Sequence, residues 1–284
     1  MSNHSNKLLT LDVYYQIAHW LGSRVVGWER SLQITPNGFD GSRLLFGFDK
    51  QNLDPMELFS HFQEIGGVPN IVSESILADW DRANFCYLAI ESAVVSPENV
   101  SSATPEVIKL YLEFPVHLST QVGEQLYWQP SALWCRGYKW RARSGKLERV
   151  TSYHMVPGAT IATIPLLLPE VVTEPIFGSL LDRIGVATVD GEKKLDILYV
   201  NTPPQSQGVD LRVYDLNVAI RDILPCVQDQ CFEILSISRR ASVIQILSRF
   251  PDAMLGHISL GWRRPNEPYL TFYWEWDKEI SLRE

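Results

Sequence analysis

Five pairs of short segments along the chain alternate apolar and polar residues, which is the pattern of β-strands with one buried face. Turn residues such as Asn37-Gly38 and Ser144-Gly145 separate some of the paired segments, so each pair predicts a β-hairpin. The predicted strands are, in chain order, 29–35, 43–48, 85–91, 107–114, 136–143, 147–155, 194–201, 209–216, 256–262 and 269–276. Because hairpins join neighbouring strands, we expect ten antiparallel strands.

Segments with helical periodicity alternate with these hairpins. Helices are predicted at 12–21, near 74–82, near 175–185 and from 228 to about 250, and Asp54-Pro55 is typical of a further helix start. The blocks repeat at roughly 45–60 residues, the spacing of repeated supersecondary units. We therefore predict an α+β fold, in which an antiparallel ten-stranded β-barrel lies within an outer ring of helices, as a single domain over residues 1–284.

The strand alternation collects cations and tyrosines on one face. In a helix-coated barrel the outer face must be apolar, so the polar face is predicted to line the lumen. The predicted lining comprises Arg43, Lys109, Lys139, Arg141, Arg212, Tyr111, Tyr153, Tyr199, Tyr214 and Tyr273. The alternative is a two-layer α+β protein whose polar face lies in water, but five tyrosine rings on one face favour a lumen.

A lumen lined in this way suits an allylic diphosphate. Arginine and lysine neutralise the diphosphate, and the electron-rich faces of tyrosine rings stabilise a developing carbocation. The same rings exclude the water that would quench the cation. The residue types therefore indicate prenyl transfer.

The composition disfavours several classes of binding partner. The net charge of −8 disfavours nucleic acid and anionic membranes as partners, and no apolar run reaches the ~18 residues of a membrane span. No apolar signal segment follows Met1, and neither the four cysteines nor the six histidines have metal-ligand spacing. We interpret the cysteines as reduced packing residues of a cytoplasmic protein.

Several short stretches carry a family resemblance. They are Glu29, Ser42-Arg43-Leu44-Leu45-Phe46, Lys109-Leu110-Tyr111, Gly137-Tyr138, Tyr153 and the tyrosine-rich end at 269–274. With the block order, they resemble the ABBA prenyltransferase barrels, built of five αββα-like repeats, and among them the cyanobactin peptide prenyltransferases. The resemblance implies transfer of a dimethylallyl or geranyl group from its diphosphate to an Arg, Tyr, Trp or His side chain of a peptide.

The resemblance also implies roles for individual residues. Glu29 would be the catalytic residue that takes the proton of the acceptor or orients it. The diphosphate would be bound by Arg43, Lys109, Lys139 and Arg212, and the carbocation would be shielded by Tyr111, Tyr153, Tyr199, Tyr214 and Tyr273. Mg²⁺ would be held by the donor diphosphate and water rather than by protein ligands.

Two positions depart from the family pattern. Glu113 stands where the family carries a basic residue, and Lys139 stands where it tends to carry an acid. Glu113 is therefore a candidate acceptor-binding residue, and it makes a cationic acceptor such as arginine worth testing.

Other interpretations stay open at this point. The same fold could prenylate an indole or phenol, or the barrel could bind a ligand without catalysis. The short chain offers no extra segments to close the barrel mouth, which favours a peptide. Arg43 and Lys109 could instead form ion pairs with Glu29 or Glu113 inside the barrel, and Glu29 could be a surface carboxylate beside Arg30.

Overall fold

The computed structural model describes residues 10–65, 67–92, 105–115, 132–142, 144–156, 160–167, 175–187, 196–202, 206–230, 237–264 and 267–275. The ten strands are β1 (Val25–Thr35), β2 (Gly38–Asp49), β3 (Phe85–Ser92), β4 (Pro105–Glu113), β5 (Ala132–Arg141), β6 (Leu147–Val156), β7 (Asp196–Thr202), β8 (Ser206–Arg212), β9 (Leu255–Arg264) and β10 (Glu267–Glu275). The α-helices are α1 (Thr10–Leu21), α2 (Pro55–Ile65), α3 (Asn70–Trp80), α4 (Ile164–Leu167), α5 (Pro175–Ala187), α6 (Ile220–Gln230) and α7 (Ile237–Leu247).

The ten strands close into one antiparallel barrel. Each strand pairs with its neighbours in the chain, and β1 pairs with β10, for example at Leu32 and Phe272. Closure leaves no strand edge unpaired, so the backbone hydrogen bonds of the whole sheet are made within the barrel. The predicted fold class, an α+β fold with a ten-stranded antiparallel barrel and outer helices, is confirmed.

The helices cover the apolar outer face of the barrel in two clusters. One cluster packs Phe177 of α5, Ile223 of α6 and Val243 of α7 against β1 and β7 to β10. The other packs Ile17 of α1 and the helices α2 and α3 against β1 to β5. Removal of these side chains from water stabilises the closed sheet, and it directs the alternate, polar side chains into the lumen.

On β7 the predicted alternation was wrong. Leu198 and Val200 line the lumen, whereas Tyr199 packs against the outer cluster that includes Ile197. Tyr199 is therefore not a lumen residue and cannot shield a carbocation there. The sequence could not settle this point, because four successive apolar or aromatic residues at 197–200 leave the two faces of the strand alike.

Several element boundaries also differ from the prediction; β1, for example, begins at Val25 rather than at Glu29. Strand β8 ends at Arg212, and Tyr214 lies in a 3₁₀ turn, Tyr214–Leu216, followed by Asn217 in the left-handed conformation with φ of 54°. Part of the helix predicted from 228 to about 250 lies outside the described residues; within them, α6 ends at Gln230 and α7 begins at Ile237. None of the described helices has the length and apolar character needed to cross a bilayer.

Candidate active site

The lumen contains two adjoining cavities, each with about 700 Å³ of empty space that includes open solvent. Glu29, Asp210 and His257 line the first, which we call the carboxylate chamber. The second, the cation chamber, is lined by Arg43, Lys109, Lys139, Arg149 and Arg263. Arg43 lines both cavities together with Tyr111, Tyr153 and Tyr273. These three tyrosines are the waist between the chambers.

In the carboxylate chamber, Glu29 belongs to a chain of hydrogen bonds. One carboxylate oxygen lies 3.2 Å from Nε2 of His257, and the other accepts a hydrogen bond from the Tyr214 hydroxyl. Nδ1 of His257 lies 2.9 and 3.0 Å from the two carboxylate oxygens of Asp210. The imidazole is thus held between two carboxylates, and the side chain of Glu29 is fixed from both of its oxygens.

These contacts set the protonation of the pair. Burial by itself would lower the pKa of His257, but Asp210 and Glu29 raise that pKa to about 10, so the imidazole is protonated at neutral pH. Burial would raise the pKa of Glu29, but the positive His257 and the hydrogen bonds from His257 and Tyr214 lower it on balance. Glu29 is therefore an ionised, hydrogen-bonded carboxylate inside the barrel rather than a surface residue.

Gly256 leaves space for the hydrogen-bonded side chains of Glu29 and Tyr214. A Cβ atom at position 256 would lie 2.6 Å from a carboxylate oxygen of Glu29 and 2.6 Å from the Tyr214 ring. Real Cβ atoms do not approach other atoms this closely, so a side chain at position 256 would displace Glu29 and Tyr214. Strand β9 therefore supplies both the imidazole of His257 and the gap beside it.

In the cation chamber, one carboxylate binds three of the five cations. Nε of Arg43 lies 2.9 Å from Glu91, Nζ of Lys139 lies 3.4 Å from it, and Nζ of Lys109 donates to the same carboxylate. The alternative ion pairs of Arg43 and Lys109 with Glu29 or Glu113 are therefore not the ones that form. The register of the two strands explains this contact, because Arg43 on β2 is the partner of Glu91 on β3.

The cations of this chamber are not fully compensated. Nη1 of Arg43 is buried and has no hydrogen-bond acceptor among the described residues. Burial, with the nearby Arg43 charge, lowers the pKa of Lys109 to about 7 although Glu91 opposes the shift. A bound anion would relieve both features, because it would give Nη1 of Arg43 an acceptor and stabilise the charged form of Lys109.

The waist is built of rings that pack edge to face. Tyr111 and Tyr153 have ring centroids 5.9 Å apart at an interplanar angle of 63°. Gly137 makes room for them, since a Cβ atom there would lie 2.8 Å from the Tyr111 ring. Burial raises the pKa of the phenols of Tyr111, Tyr153 and Tyr273, so these rings are neutral at physiological pH.

Besides Glu29 and Tyr199, three predicted site residues do not line the cation chamber: Arg212, Glu113 and Tyr214. The guanidinium of Arg212 lies in the carboxylate chamber, 4.9 Å from the ring centroid of Trp134 and 5.5 Å from that of Tyr214. Glu113 lines neither of the two cavities, and it accepts a 2.8 Å hydrogen bond from the hydroxyl of Tyr87, which does line the carboxylate chamber. Tyr214 lies beside Glu29 rather than at the waist. The roles given to these residues stay predictions.

Several lumen residues were missed by the sequence argument, chiefly Asp210, His257, Tyr87 and Glu91. The alternation could have found them. In 85–91 the segment places Tyr87 and Glu91 opposite the buried Leu88 and Ile90, and in 256–262 His257 lies opposite Ile258. His257 lacks metal-ligand spacing, and its place in the strand alternation is the signal that assigns it to the lumen.

Comparison with known proteins establishes the fold. No protein-family model and no curated protein matches the chain. The crystal structure of 5-dimethylallyl tryptophan synthase from Streptomyces coelicolor in complex with DMASPP and Trp is 12% identical, covers 93% of this chain and 88% of its own, and has a TM-score of 0.50. The 6-dimethylallyltryptophan synthase from Micromonospora olivasterospora, in complex with the same two ligands, is 11% identical over 88% of this chain and 82% of its own, with a TM-score of 0.48. The chain has the fold of the ABBA prenyltransferase barrels.

Proposed function

We propose that this protein transfers a prenyl group, dimethylallyl or geranyl, from its diphosphate to a side chain of a peptide. One observation carries the proposal: a single lumen holds a cation chamber and an ionised carboxylate, with a waist of three tyrosines between them. The shared fold supports it, since the Streptomyces synthase of the same fold was crystallised in complex with DMASPP and Trp.

In this proposal the donor diphosphate lies in the cation chamber. Its oxygens accept hydrogen bonds from Arg43, Lys109 and Lys139, and the buried, unpaired Nη1 of Arg43 gains an acceptor. The allylic C1–O bond breaks, and its electron pair leaves with the diphosphate. The cations stabilise the charge that develops on that leaving group, which is where electrostatic preorganisation acts on the barrier.

The positive charge that develops on C1 faces the waist. Tyrosine rings stabilise a cation through their electron-rich faces, and the half-buried rings of Tyr111 and Tyr153 would exclude water from it. Exclusion of water matters because hydrolysis of the cation would compete with transfer. The waist thus determines which nucleophile the cation meets.

The acceptor side chain enters from the carboxylate chamber. Its nucleophilic atom forms the new bond to C1, and the resulting cationic adduct loses its proton to Glu29. The lowered pKa of Glu29 suits this step, because a cationic adduct is a strong acid and the base needs above all to be ionised and in place. His257 and Tyr214 keep it so through their hydrogen bonds.

The proposed acceptor of the prenyl group is a peptide side chain. The peptide comes from the family resemblance around Glu29, Arg43 and Lys109, and Arg, Tyr, Trp and His side chains are the candidates. A small aromatic acceptor is the second candidate. It is favoured by the aromatic walls of the carboxylate chamber, where the Arg212 guanidinium already lies against Trp134 and Tyr214.

Magnesium and location belong to the same proposal. Within the described ranges no three His, Cys, Asp or Glu side chains converge as metal ligands, so Mg²⁺ would be bound by the diphosphate and water. It would add positive charge beside the leaving group, next to the five cations of the chain. We also propose a cytoplasmic location, supported by the free thiols of Cys86, Cys135 and Cys226.

Mass spectrometry of a mixed panel tests the function. The panel holds peptides with one Arg, Tyr, Trp or His each, together with free tryptophan, and is incubated with Mg²⁺ and dimethylallyl or geranyl diphosphate. We expect one prenyl unit to be added to a peptide, and the addition to be lost in Glu29→Gln and retained in Glu57→Gln, a surface variant on α2. Modification of tryptophan alone would replace the peptide by the small-molecule acceptor. Donor binding without any product would leave a binding protein.

A further inference from the structure

Asp210 is a buried carboxylate at the far end of the hydrogen-bond chain that reaches Glu29. It is only 6% exposed, and it lines the carboxylate chamber but not the cation chamber. Its two oxygens lie 2.9 and 3.0 Å from Nδ1 of His257, closer than the 3.2 Å between Nε2 of the same ring and Glu29. Asp210 therefore holds the imidazole at least as closely as Glu29 does.

The chain crosses four successive strands of the barrel, with Asp210 on β8, His257 on β9, Tyr273 on β10 and Glu29 on β1. Tyr273 and His257 are register partners, and the imidazole stacks on the phenol ring. Because β10 separates β9 from β1, the imidazole of His257 reaches Glu29 across β10. The position of its Nε2 atom therefore depends on how the ring is held at its other end.

Stacking on Tyr273 does not by itself orient the imidazole. A half-turn about χ2 of His257 leaves the ring in the same plane, but it exchanges each nitrogen with a carbon. The carboxylate of Asp210 favours the orientation in which Nδ1 faces it, because the N–H groups are the hydrogen-bond donors of the ring. With Nδ1 on Asp210, Nε2 points to Glu29.

Asp210 also affects which hydrogens the imidazole can donate. A neutral imidazole has one N–H and can donate to only one of the two carboxylates, whereas the imidazolium donates to both. Burial by itself would lower the pKa of His257, and Asp210, together with Glu29, opposes this shift. Removal of Asp210 would therefore leave Glu29 with a partner that can turn over and that loses its proton more easily.

We propose that Asp210 is a positioning residue of the prenyl transfer: it fixes the orientation of His257, and His257 in turn fixes the carboxylate of Glu29 that takes the proton of the adduct. The proposal rests on the proposed function, since Glu29 is the base of that reaction. The aspartate of a Ser-His-Asp triad orients its histidine in the same way. Here the oriented imidazole holds a carboxylate base instead of acting as the base itself.

Two other roles for Asp210 predict a different pattern of kinetic effects. An aspartate that binds the acceptor directly contributes to KM, and it does so whether or not Glu29 is ionised. An aspartate that only neutralises a buried charge stabilises the fold, and its loss acts in the same way with or without the base. A residue that acts solely through Glu29 has no effect on the rate once that base has been removed.

A double-mutant cycle between Asp210→Ala and Glu29→Gln tests the proposal, with the product measured over time by mass spectrometry. We expect Asp210→Ala alone to lower kcat about tenfold to a hundredfold, as for a misplaced catalytic group, and to lower it by no more than about twofold further in Glu29→Gln or in His257→Gln. The KM for the acceptor and the affinity for pyrophosphate should stay unchanged, because Asp210 does not line the cation chamber. The matched control is Asp252→Ala, which removes an exposed aspartate paired with Arg221 and should leave kcat unchanged.

An unchanged kcat in Asp210→Ala, an equal loss in all three backgrounds, or a change confined to KM overturns the proposal and leaves the proposed function intact. A loss that disappears in Glu29→Gln but persists in His257→Gln also overturns it, since Asp210 would then act on Glu29 without the imidazole. If Asp210→Ala does not fold, Asp210→Asn, which keeps the volume but not the charge, takes its place in the same cycle. Absence of any product from the unmodified protein would overturn the proposed function and this proposal together.

Discussion

The imidazole of His257 stacks on the phenol ring of Tyr273, with ring centroids 3.6 Å apart and planes 13° apart. Because His257 is protonated, this stacking is an attraction between a cation and an aromatic face. One face of Tyr273 is therefore already occupied, and the shielding of a substrate cation falls mainly to Tyr111 and Tyr153. The same imidazole ties the waist to Glu29, so the base and the shield are fixed relative to each other.

The free energy of unfolding should depend on pH through the protonation of His257. Its folded-state pKa of about 10 lies above its ordinary value of 6.5, so the protonated imidazole stabilises the fold fully below pH 6.5 and loses this contribution as the pH rises through 10. Urea unfolding of the unmodified protein and of His257→Gln at a series of pH values measures it. The difference in free energy of unfolding between the two proteins should shrink steadily from pH 6.5 to 10.

The difference between the two proteins is the quantity to follow, not the unmodified protein alone. The pKa of Lys109 is lowered to about 7, so Lys109 contributes stability that increases with pH above 7 and opposes the effect of His257. Lys109 is present in both proteins and its contribution cancels in the subtraction. A difference that stays constant from pH 6.5 to 10 would show that the imidazole is neutral in the folded protein.

The substitution Glu29→Gln separates proton transfer from donor binding. Glutamine removes the ionised base but has the same shape as glutamate and can still form hydrogen bonds. We therefore expect kcat to fall about 10²- to 10⁴-fold, the usual contribution of a general base. Pyrophosphate binding should not change, because Glu29 does not line the cation chamber. Single-turnover kinetics and calorimetric titration measure the two quantities. A parallel loss of pyrophosphate affinity would contradict the division of the lumen into two chambers.

Much of the fold followed from alternation in the sequence. The barrel was predictable because segments such as 108–113 place apolar residues opposite polar ones: Leu110 and Leu112 pack outward, whereas Lys109 and Tyr111 line the lumen. Periodicity gave the number of strands and their antiparallel order. It also predicted that Arg43, Lys109 and Lys139 share the lumen face, and the structure places all three in the cation chamber.

The rest depended on three-dimensional geometry that alternation does not encode. Strand alternation predicts that Arg212 faces the lumen, but it does not predict the height of Arg212 along the barrel axis. The structure places Arg212 in the chamber of Glu29 instead of in that of Lys139. Which carboxylate meets Arg43 depends on the register between β2 and β3. Register is set by packing and turns along whole strands, so Glu91 could be placed on the right face but not beside its partners.

The placement of Arg212 leads to a test against the sequence-based role. Arg212→Gln should raise the KM for the acceptor about tenfold, through loss of a charged contact in the carboxylate chamber, and leave the pyrophosphate affinity unchanged. Lys139→Gln should weaken pyrophosphate binding and leave the KM for the acceptor unchanged, because Lys139 lines the cation chamber. Steady-state kinetics with each substrate varied in turn distinguishes them. If Arg212→Gln weakens pyrophosphate binding as much as Lys139→Gln does, Arg212 binds the donor diphosphate, as the sequence predicted.

The waist can be disturbed without change to any of its tyrosines. In Gly137→Ala the new Cβ would lie 2.8 Å from the Tyr111 ring and 3.4 Å from the Tyr153 ring, so the rings must shift. We expect a loss of about 1–3 kcal/mol in the free energy of unfolding, as for other overpacked sites, and a larger fraction of donor hydrolysed instead of transferred, because water gains access to the cation. The control is Gly27→Ala on β1, where a Cβ meets no atom within 4 Å. The ratio of prenyl alcohol to prenylated product, measured by chromatography, should rise in the first variant only. An equal ratio in Gly137→Ala and Gly27→Ala would mean that the position of the Tyr111 and Tyr153 rings does not control the access of water.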